Sequence, residues 1–452
     1  LWKPAPQAQI AATAPADRII ATYSGSAGKA FQTGSLTAAQ QTALGGGLGT
    51  WQQVLAYLRG ERSLEGDLFR SRGNQAGLVS VLGDIVNGEP VVSGPPRLFY
   101  FDNGYAAFKS AQASRSTVVF QGANDGMLHT FDGNTGKELW AYVPNRVFPT
   151  LRNLSEKDTF SHLYYVDGTP TVGDVNLNNT AGFVGVSPAP TPDWRTILVG
   201  GLRKGGFGYY ALDVTNPLVA NESQLAANVM WEFPKDDTNA TVAKNVGYSY
   251  GKPIIVKTRA AGWVVIVSSG YNNGATTGGD GKGYLFVLNP LTGAVLAALG
   301  TGAGSSADPS GLGPISAYVD NGDVDPTVEY VYGGDLKGNV WRFDLSSKDP
   351  ANWNVKKLAT LVDASGVAQP ITAEPELGIV KNSRMVFVGT GKYLGESDIP
   401  DRPTASPQAV QTQTMYALKD DLSAAPEITP LRASLVQQIL TKSGTTATVT
   451  EN

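Results

Sequence analysis

Apolar and polar positions recur in a regular unit from about residue 80 onward. Each unit is a β-rich run that ends in glycine, followed by a polar turn and a second apolar run with Asp or Asn near its end. Asn-Gly, Asp-Gly and Gly-Asn pairs in the turns supply the positive φ that tight hairpins require. The unit therefore predicts repeated antiparallel hairpins. Five copies begin at Val118, Arg195, Val264, Val328 and Arg384, and residues 81–92 predict a further strand entering the series.

The repeated strands predict a closed, radial arrangement of sheets. The run from Val328 to Tyr332 is apolar at nearly every position, which is typical of a strand covered on both faces. Radial repetition hides the edges of such sheets, and the wide spacing of the copies leaves room for long loops. We therefore predict an all-β fold, a modified β-propeller with decorated loops over residues 76–420. Five clear copies and some weaker ones favour six to eight blades.

The first 75 residues predict helices instead. A short helix is expected from Leu36 to Leu44, and Thr50 with Gln53 forms a capping box that opens a second helix. An apolar stripe at i, i+3, i+4 and i+7 follows, and Gly60 is placed to end the helix. We expect residues 1–75 to be an N-terminal extension whose helices pack on the propeller as a cap. The stripe consists of Trp51, Val54, Leu55 and Leu58.

The C-terminal residues 421–452 form a separate segment in this interpretation. They are rich in Ala, Ser and Thr, and Leu431 to Leu440 predict one more helix. The closing residues, SGTTATVTEN, predict a loose end or a closing strand. The chain begins at Leu1-Trp2-Lys3 without a start methionine or a signal peptide, which indicates an excised fragment.

Composition excludes several classes of protein. The 452 residues are 42% hydrophobic with a net charge of −4, so a fully disordered chain is excluded. There is no cysteine, which removes disulfides, thiolate nucleophiles and cysteine-ligated metals, and two histidines, His129 and His162, cannot build a three-histidine site. The sequence has no basic block of the kind that indicates nucleic-acid binding. It also has no apolar run that approaches the ~18 residues of a membrane helix. We expect both histidines to be packing or surface residues.

One acidic segment has the spacing of a calcium-binding loop. Between Tyr318 and the strand that starts near residue 328, oxygen-bearing residues occupy alternate positions. Calcium takes six to eight oxygen ligands, and in such loops a main-chain carbonyl, here that of Thr327, serves at the seventh position. Two carboxylates ~5 Å apart repel by roughly 3 kcal/mol at an effective dielectric constant near 20, so a cation would relieve the turn. The predicted ligands are Asn321, Asp323, Asp325, Thr327 and Glu329.

The alternative for this segment is a solvated acidic turn. The first ligand also has two candidates, because Asp320 offers a carboxylate beside Asn321. A second acidic stretch contains Asp174, Asn176 and Asn178, but only one of these residues is charged. We therefore expect a turn stabilised by Asx hydrogen bonds at that stretch.

Five ordered motifs resemble the C-terminal domain of the PilC/PilY proteins, which are bacterial type IV pilus biogenesis factors and tip-associated adhesins. The resemblance extends from about residue 18 to about residue 420. The motifs are YLRGERSLEGDLFRSR from Tyr57, LGDIVNGEPVV from Leu82, ANDGMLHTFDGNTGKELWAYVP from Ala123, WRTILVGGLRKGGFGYYALDVTNP from Trp194 and YVYGGDLKGNVWRFDL from Tyr330.

The resemblance implies a modified seven-bladed propeller that binds calcium and is not an enzyme. It implies a nine-residue calcium loop just before the motif at Tyr330, although family members usually carry Asp where this chain has Asn321 and Glu329. It further implies export to the pilus tip, cell surface or outer membrane and periplasm, and partners among pilins, minor pilins and host-cell or abiotic surfaces. The implied roles are control of pilus extension and retraction, twitching motility and attachment.

Two other functions stay open at this point. The string from Asp132 to Gly136, with Trp140, resembles the tryptophan-docking repeat of quinoproteins, in which the indole wedges between blades. A dehydrogenase that uses pyrroloquinoline quinone is therefore an alternative, although the adjacent cysteine pair of those enzymes is impossible here. A carbohydrate-binding propeller is a third hypothesis. Trp341 is expected to be a structural anchor of its blade.

Overall fold

The computed structural model describes residues 2–3, 5–73, 79–179, 191–235 and 240–450. Strands are the main regular secondary structure of the described residues and helices are few and short, which confirms the predicted all-β class. The strands are β1 (Ile20–Tyr23), β2 (Gly28–Ala30), β3 (Val91–Ser93), β4 (Val118–Gly122), β5 (Leu128–Asp132), β6 (Glu138–Val143), β7 (Thr171–Asn176), β8 (Trp194–Gly201), β9 (Tyr209–Asp213), β10 (Val229–Phe233), β11 (Ile254–Thr258), β12 (Gly262–Ser268), β13 (Tyr284–Leu288), β14 (Val295–Gly300), β15 (Ile315–Tyr318), β16 (Tyr330–Gly334), β17 (Asn339–Asp344), β18 (Asn354–Thr360), β19 (Glu376–Val380), β20 (Ser383–Gly389), β21 (Met415–Asp420), β22 (Leu440–Ser443) and β23 (Thr446–Val449).

Short helices lie between and before these strands. Both predicted N-terminal helices are present. Each begins with a capping box, in which the N-cap threonine and the glutamine three residues later bond reciprocally. The helices are α1 (Pro6–Ala12), α2 (Ala38–Leu44), α3 (Trp51–Arg59), α4 (Tyr105–Ala111), α5 (Phe148–Leu151), α6 (Glu222–Asn228) and α7 (Ala240–Lys244). Within the described residues, no helix has the length and apolar character that crossing a membrane requires.

The strands form five successive antiparallel sheets, each built from neighbouring strands in chain order. β3–β6, β7–β10, β11–β14 and β15–β18 are four-stranded blades, and β19–β21 form a three-stranded one. Each of the five sequence repeats supplies the second and third strands of one blade. Buried side chains fill the space between consecutive sheets, as in a propeller. The described residues contain five such blades, and the count of seven stays a prediction.

The N-terminal extension does more than cap the propeller. β1 joins the outer edge of the first blade by pairing in parallel with β6, and β2 then pairs with β1. A buried ion pair between Arg59 of α3 and Glu222 of α6, with 2.6 Å between Nη1 and Oε1, ties the extension to the second blade. The predicted boundary between residues 75 and 76 lies outside the described residues.

Tryptophan side chains link the first blade to the second and the second blade to the third. The indole N–H of Trp140 on β6 donates to the carbonyl of Pro217 at 2.8 Å, and that of Trp231 on β10 donates to the carbonyl of Pro290 at 2.8 Å. Both acceptors lie in the connection between the third and fourth strands of the following blade. The predicted wedging of Trp140 between blades is therefore present in the structure.

The connection between the third and fourth strands of the first blade also binds an indole, that of Trp2. The Trp2 indole donates to the carbonyl of Gly133 at 3.0 Å and covers Gly136. A Cβ built on Gly136 would lie 2.6 Å from the Trp2 ring, and one built on Gly293 would lie 2.7 Å from the Trp231 ring. These glycines are therefore required by the close approach of an indole, and Trp2 makes the same kind of contact on the first blade as Trp231 makes on the third.

Two sequence-based expectations differ from the structure, and one on Trp341 agrees with it. Residues 81–92 contain only the short strand β3, because Gly83 and Asn87 donate their backbone N–H groups to Asp125 and Asp167 instead of pairing in a sheet. Trp341 is buried and donates to Asp335 within its own hairpin at 2.9 Å, as expected of an anchor of its blade. The helix expected at Leu431–Leu440 is absent: a single 3₁₀ turn at Arg432–Ser434 and the hairpin of β22 and β23 replace it.

The strand order places the loops on two opposite faces. Because successive strands of a blade alternate in direction, the connections between first and second strands leave from one face. The connections between second and third strands, and those between blades, leave from the other face. The predicted calcium loop connects β15 to β16 and belongs to the first of these faces.

Candidate metal centre

The predicted ligands lie on one hairpin loop of the fourth blade. Tyr318 and Tyr330 pair at the ends of β15 and β16, and residues 319–329 form the loop between them. The carbonyl of Asn321 accepts hydrogen bonds from the backbone N–H groups of Val324 and Asp325, at 3.2 and 2.9 Å, which closes a tight turn. The loop is therefore anchored on both sides, as the adjoining apolar strand predicts.

Asp325 is held by a lysine of the third blade. Nζ of Lys257 on β11 lies 2.8 Å from Oδ1 of Asp325 and 2.9 Å from Oδ2 of Asp102, and the hydroxyl of Thr327 donates to the same Asp325 oxygen at 2.7 Å. Partial burial acts to raise the pKa of Asp325, but the bonds from Lys257 and Thr327 outweigh it and hold that pKa below its usual range. Burial likewise opposes the charge of Lys257, yet the two carboxylates raise its pKa. This ammonium group bridges two acidic residues.

Glu329 is paired with arginines of two neighbouring blades. Its Oε1 lies 2.5 Å from Nη2 of Arg259, which follows β11, and its Oε2 lies 3.6 Å from Nη2 of Arg384 on β20. The Arg384 guanidinium also stacks over the ring of Tyr318 at 4.2 Å. The last predicted ligand is thus part of an ion-pair chain across the third, fourth and fifth blades.

Backbone hydrogen bonds attach the loop to two other blades. The carbonyls of Asp323 and Val324 accept from the N–H groups of Phe99 and Phe101, which belong to the connection between β3 and β4 of the first blade. Lys257 donates its backbone N–H to the carbonyl of Pro326 at 3.0 Å. The loop therefore contacts the first and third blades while belonging to the fourth.

The remaining oxygen-bearing side chains of the loop face solvent. Asp320, Asn321 and Asp323 are exposed, and none of them forms a side-chain hydrogen bond or ion pair with the rest of the described chain. Across the described ranges, no group of three or more His, Asp or Glu side chains is assembled as a metal-ligand set. The predicted ligands thus fall into two groups. Three at the tip are open, including the alternative Asp320, and at the base Asp325 and Glu329 are already bound to cations of the chain, with Thr327 bonded to Asp325.

The other singled-out residues have structural roles. His129 is buried, with Nε2 3.0 Å from Asp125 and Nδ1 2.7 Å from Glu138, whereas His162 is exposed beside Asp84. Asp174 on β7 accepts from Thr196 of the second blade and from Tyr105 of α4, which belongs to the connection between β3 and β4 of the first blade. The Asx hydrogen bond predicted for that stretch is present. It runs from the N–H of Asn178 to the side chain of Asn176 at 3.2 Å.

Sequence reasoning missed the cations at this site. Lys257, Arg259 and Arg384 are separated from the loop by 55 residues or more along the chain. The only local signal was the pair of basic residues in IIVKTRAAG, at the end of an apolar strand and flanked by a turn. Nothing in the sequence paired that strand end with the acidic loop.

The successive four-stranded sheets, the inter-blade tryptophans and the loop described above define a β-propeller domain. A family model described as the PilY1 beta-propeller domain matches residues 82–452. The chain therefore belongs to the PilY1 beta-propeller family, which confirms the resemblance noted above.

Named relatives agree with this membership. The chain is 33% identical over 469 residues to the type IV pilus biogenesis factor PilY1 of Pseudomonas aeruginosa strain PAK, covering 94% of this chain and 36% of the relative. It is 37% identical over 391 residues to a PilY1 homolog of Xylella fastidiosa, covering 84% of this chain and 28% of the relative. The chain thus spans about a third of the length of these relatives.

A solved structure is also similar. The crystal structure of the C-terminal domain of Pseudomonas aeruginosa PilY1 matches with a TM-score of 0.56 at 28% sequence identity, covering 79% of this chain and 71% of that domain. The shared architecture supports the propeller assignment made from the sheets.

Proposed function

We propose that this domain is a non-enzymatic, calcium-binding β-propeller that acts in type IV pilus biogenesis. Its role in this proposal is to modulate pilus extension and retraction, and through them twitching motility and surface attachment. Its partners would be pilins and minor pilins, and host-cell or abiotic surfaces, at the pilus tip, the cell surface or the outer membrane and periplasm. Family membership supports the pilus role.

The observation that carries the calcium part of the proposal is the composition of the loop tip. Asp320, Asn321 and Asp323 present oxygen atoms to solvent on a turn that the backbone already closes. Hard divalent cations such as calcium select carboxylate, amide and carbonyl oxygens. Asp323 and Asp325 would hold the ion together with Asn321, the Thr327 carbonyl and Glu329.

The base of the loop fits calcium only in competition with the chain's own cations. Lys257 holds Oδ1 of Asp325, and Arg259 holds Oε1 of Glu329. Each carboxylate has a second oxygen, and an acidic side chain accepts several bonds at once. Because of this competition we expect a weak site of the extracellular type, with a dissociation constant near ~10⁻⁴ M. When bound, the ion would supply a double positive charge that joins the tip and the base of the loop.

The position of the loop explains how the ion would affect the whole domain. Its backbone bonds to the first blade and its acidic side chains bond to the third and fifth blades. A change at residues 320–329 therefore alters three inter-blade contacts at once, on the face that carries the connections between first and second strands.

The test uses the full-length protein in a strain that lacks it. Asp323→Ala removes an exposed carboxylate without a partner, so folding is expected to be unchanged, and Asp401→Ala is the matched control in another exposed loop. We expect twitching and surface piliation to respond to added calcium in the parent and the control but not in Asp323→Ala. Equal calcium responses in all three strains would contradict the calcium role, and unchanged piliation in the strain without the protein would contradict the pilus role.

A further inference from the structure

A large cavity lies on the face opposite the acidic loop. It has a volume of about 860 Å³. Its walls come from the connections between β8 and β9 and between β12 and β13, and from the segments that lead from the first blade to the second and from the second to the third. These connections leave from the second face of the blades, so the cavity and the acidic loop are separate sites.

Aromatic rings from several connections form much of the wall. The rings of Phe207 and Tyr248 lie 4.5 Å apart between centroids, and those of Tyr250 and Tyr271 lie 5.2 Å apart. Backbone bridges pair Phe207 with Tyr248 and Tyr248 with Tyr271. The wall is therefore held in place by main-chain bonds, and the half-buried rings of Phe207, Tyr248 and Tyr250 are available on one side.

The charge of the cavity is the opposite of the charge of the chain. The described lining residues include Arg146 and Lys204 but neither Asp nor Glu, whereas the whole chain has a net charge of −4. Lys204 is exposed, and its Nζ lies 4.8 Å from the ring centre of Tyr164. Arg146 is oriented by a hydrogen bond to the carbonyl of Pro234. Three carboxyls adjoin the lining, and each is bonded to other groups: Glu232 to Tyr142 and the backbone of Asn145, Asp84 to His162 and Asn124, and Asp167 to Asn87.

The turn that carries Lys204 is shaped by its neighbours. Arg203 adopts the left-handed region with a φ of 51°, and a Cβ built on Gly205 would lie 1.7 Å from the carbonyl oxygen of Tyr165. Only glycine, which has no Cβ, fits at position 205. A non-glycine residue at positive φ, such as Arg203, indicates a backbone that is fixed by its surroundings. This fixed turn positions Lys204 at the mouth of the cavity.

We propose that this cavity binds an acidic saccharide through its carboxylate and the apolar faces of its sugar rings. Aromatic faces offer apolar contact area, while the lining amides of Asn145 and Asn272 and the tyrosine hydroxyls can bond to several ligand hydroxyls. Lys204 and Arg146 supply the positive charge for the carboxylate. The volume lies within the range of small-ligand pockets.

A peptide fits the wall less well. Peptides that bind by strand addition need an unpaired backbone edge, whereas the backbones of Phe207, Tyr248 and Tyr271 already pair with one another. The inference specifies a ligand for the surface attachment proposed above. It rests on that proposal for its biological role alone, because binding itself is measured on the isolated chain.

The experiment is calorimetry of the whole chain with four probes. 3′-Sialyllactose and trigalacturonic acid are the acidic saccharides, lactose is the neutral control, and a short aspartate-rich peptide tests the other ligand class. We expect the chain to bind at least one of the two acidic saccharides, and to bind it at least about tenfold more tightly than lactose and the peptide, a difference of about 1.4 kcal/mol.

Two variants place the binding in the cavity. Lys204→Gln removes an exposed charge, and Asn272→Asp adds a carboxylate at an exposed residue whose positive φ aspartate tolerates. Both are expected to weaken acidic saccharide binding by about tenfold, whereas Lys419→Gln on β21 leaves it unchanged. Equal binding of acidic and neutral sugars, binding of the peptide alone, no binding at millimolar probe, or insensitivity to both cavity variants would each overturn the proposal. None of these outcomes bears on pilus assembly or calcium.

Discussion

The side-chain nitrogen of Lys257 lies 2.8 Å from Oδ1 of Asp325, so a cation of the chain already occupies part of the predicted calcium site. The same nitrogen bonds to Asp102 at 2.9 Å, and its side chain is only 14% exposed. An ammonium and a divalent ion cannot neutralise the same carboxylate equally well at once. We therefore expect Lys257 to compete with calcium for Asp325 and so to lower the affinity of the loop for the ion.

Replacing this lysine gives a direct prediction. Lys257→Gln is expected to tighten calcium binding by about tenfold, or about 1.4 kcal/mol, because the competing charge is gone. Without calcium the variant is expected to be less stable than the parent, since Asp102 and Asp325 lose their partner. Calcium titration calorimetry and thermal unfolding measure the two effects. Lys419→Gln is the control, and an affinity equal to that of the parent would show that Lys257 does not compete.

The inter-blade tryptophans predict a second effect. Trp231→Phe keeps an aromatic ring against Gly293 but removes the N–H that donates to the carbonyl of Pro290. A buried acceptor without a donor costs about 2 kcal/mol, and the smaller ring leaves additional space. Denaturant unfolding should show this loss. Stability equal to that of the parent would mean that the indole bond contributes nothing to blade packing.

His129 predicts a pH dependence in the alkaline range. Burial acts against its charge, but the adjacent carboxylates of Asp125 and Glu138 outweigh it and raise the pKa of His129 to about 9 from 6.5. A raised histidine pKa contributes stability that is fully present below pH 6.5 and is lost as the pH rises through 9, by about 3 kcal/mol. His129→Gln should unfold more easily at pH 6 and show a flatter profile between pH 7 and 9.5. Parallel profiles of variant and parent would contradict this.

Glu232 predicts a dependence in a lower window. Complete burial raises the pKa of this carboxyl from 4.5 to about 7, despite hydrogen bonds from Tyr142 and Asn145. The folded state therefore holds a proton that the unfolded state has released, and stability falls as the pH rises from 4.5 through 7. Glu232→Gln keeps the acceptor oxygen without the charge. Unfolding measurements should find it more stable than the parent at pH 8, by up to about 3 kcal/mol, but not at pH 5.

Local patterns accounted for most of the secondary structure. The five repeats became the second and third strands of five blades, and the Thr50 capping box opens α3 with Gly60 beyond its end at a φ of 117°. These features depend on residues a few positions apart, where propensity and periodicity act directly. The same logic located the acidic loop and its turn.

Contacts between distant segments could not be predicted in this way. The parallel pairing of Ile20 with Ala141, the docking of Trp2 on Gly136 and the bond from Lys257 to Asp325 each join residues far apart along the chain. The helix expected at Leu431–Leu440 failed for a different reason, because there the local pattern itself was misleading. Leu431 and Leu435 have helical spacing and pack on the last blade, but Val436 is 73% exposed and the following residues pair as a hairpin.

The proposed function depends on the claim that the loop of residues 319–329 takes up calcium, and calorimetric titration of the intact chain with calcium tests it. We expect one site with a dissociation constant of about 10⁻⁴ M, and a gain in stability of roughly 1.4 kcal/mol at a calcium concentration about tenfold higher. Asp323→Ala should lose both signals, while Asp401→Ala keeps them. A titration without heat and without a thermal shift, or one that Asp323→Ala leaves unchanged, would contradict the claim.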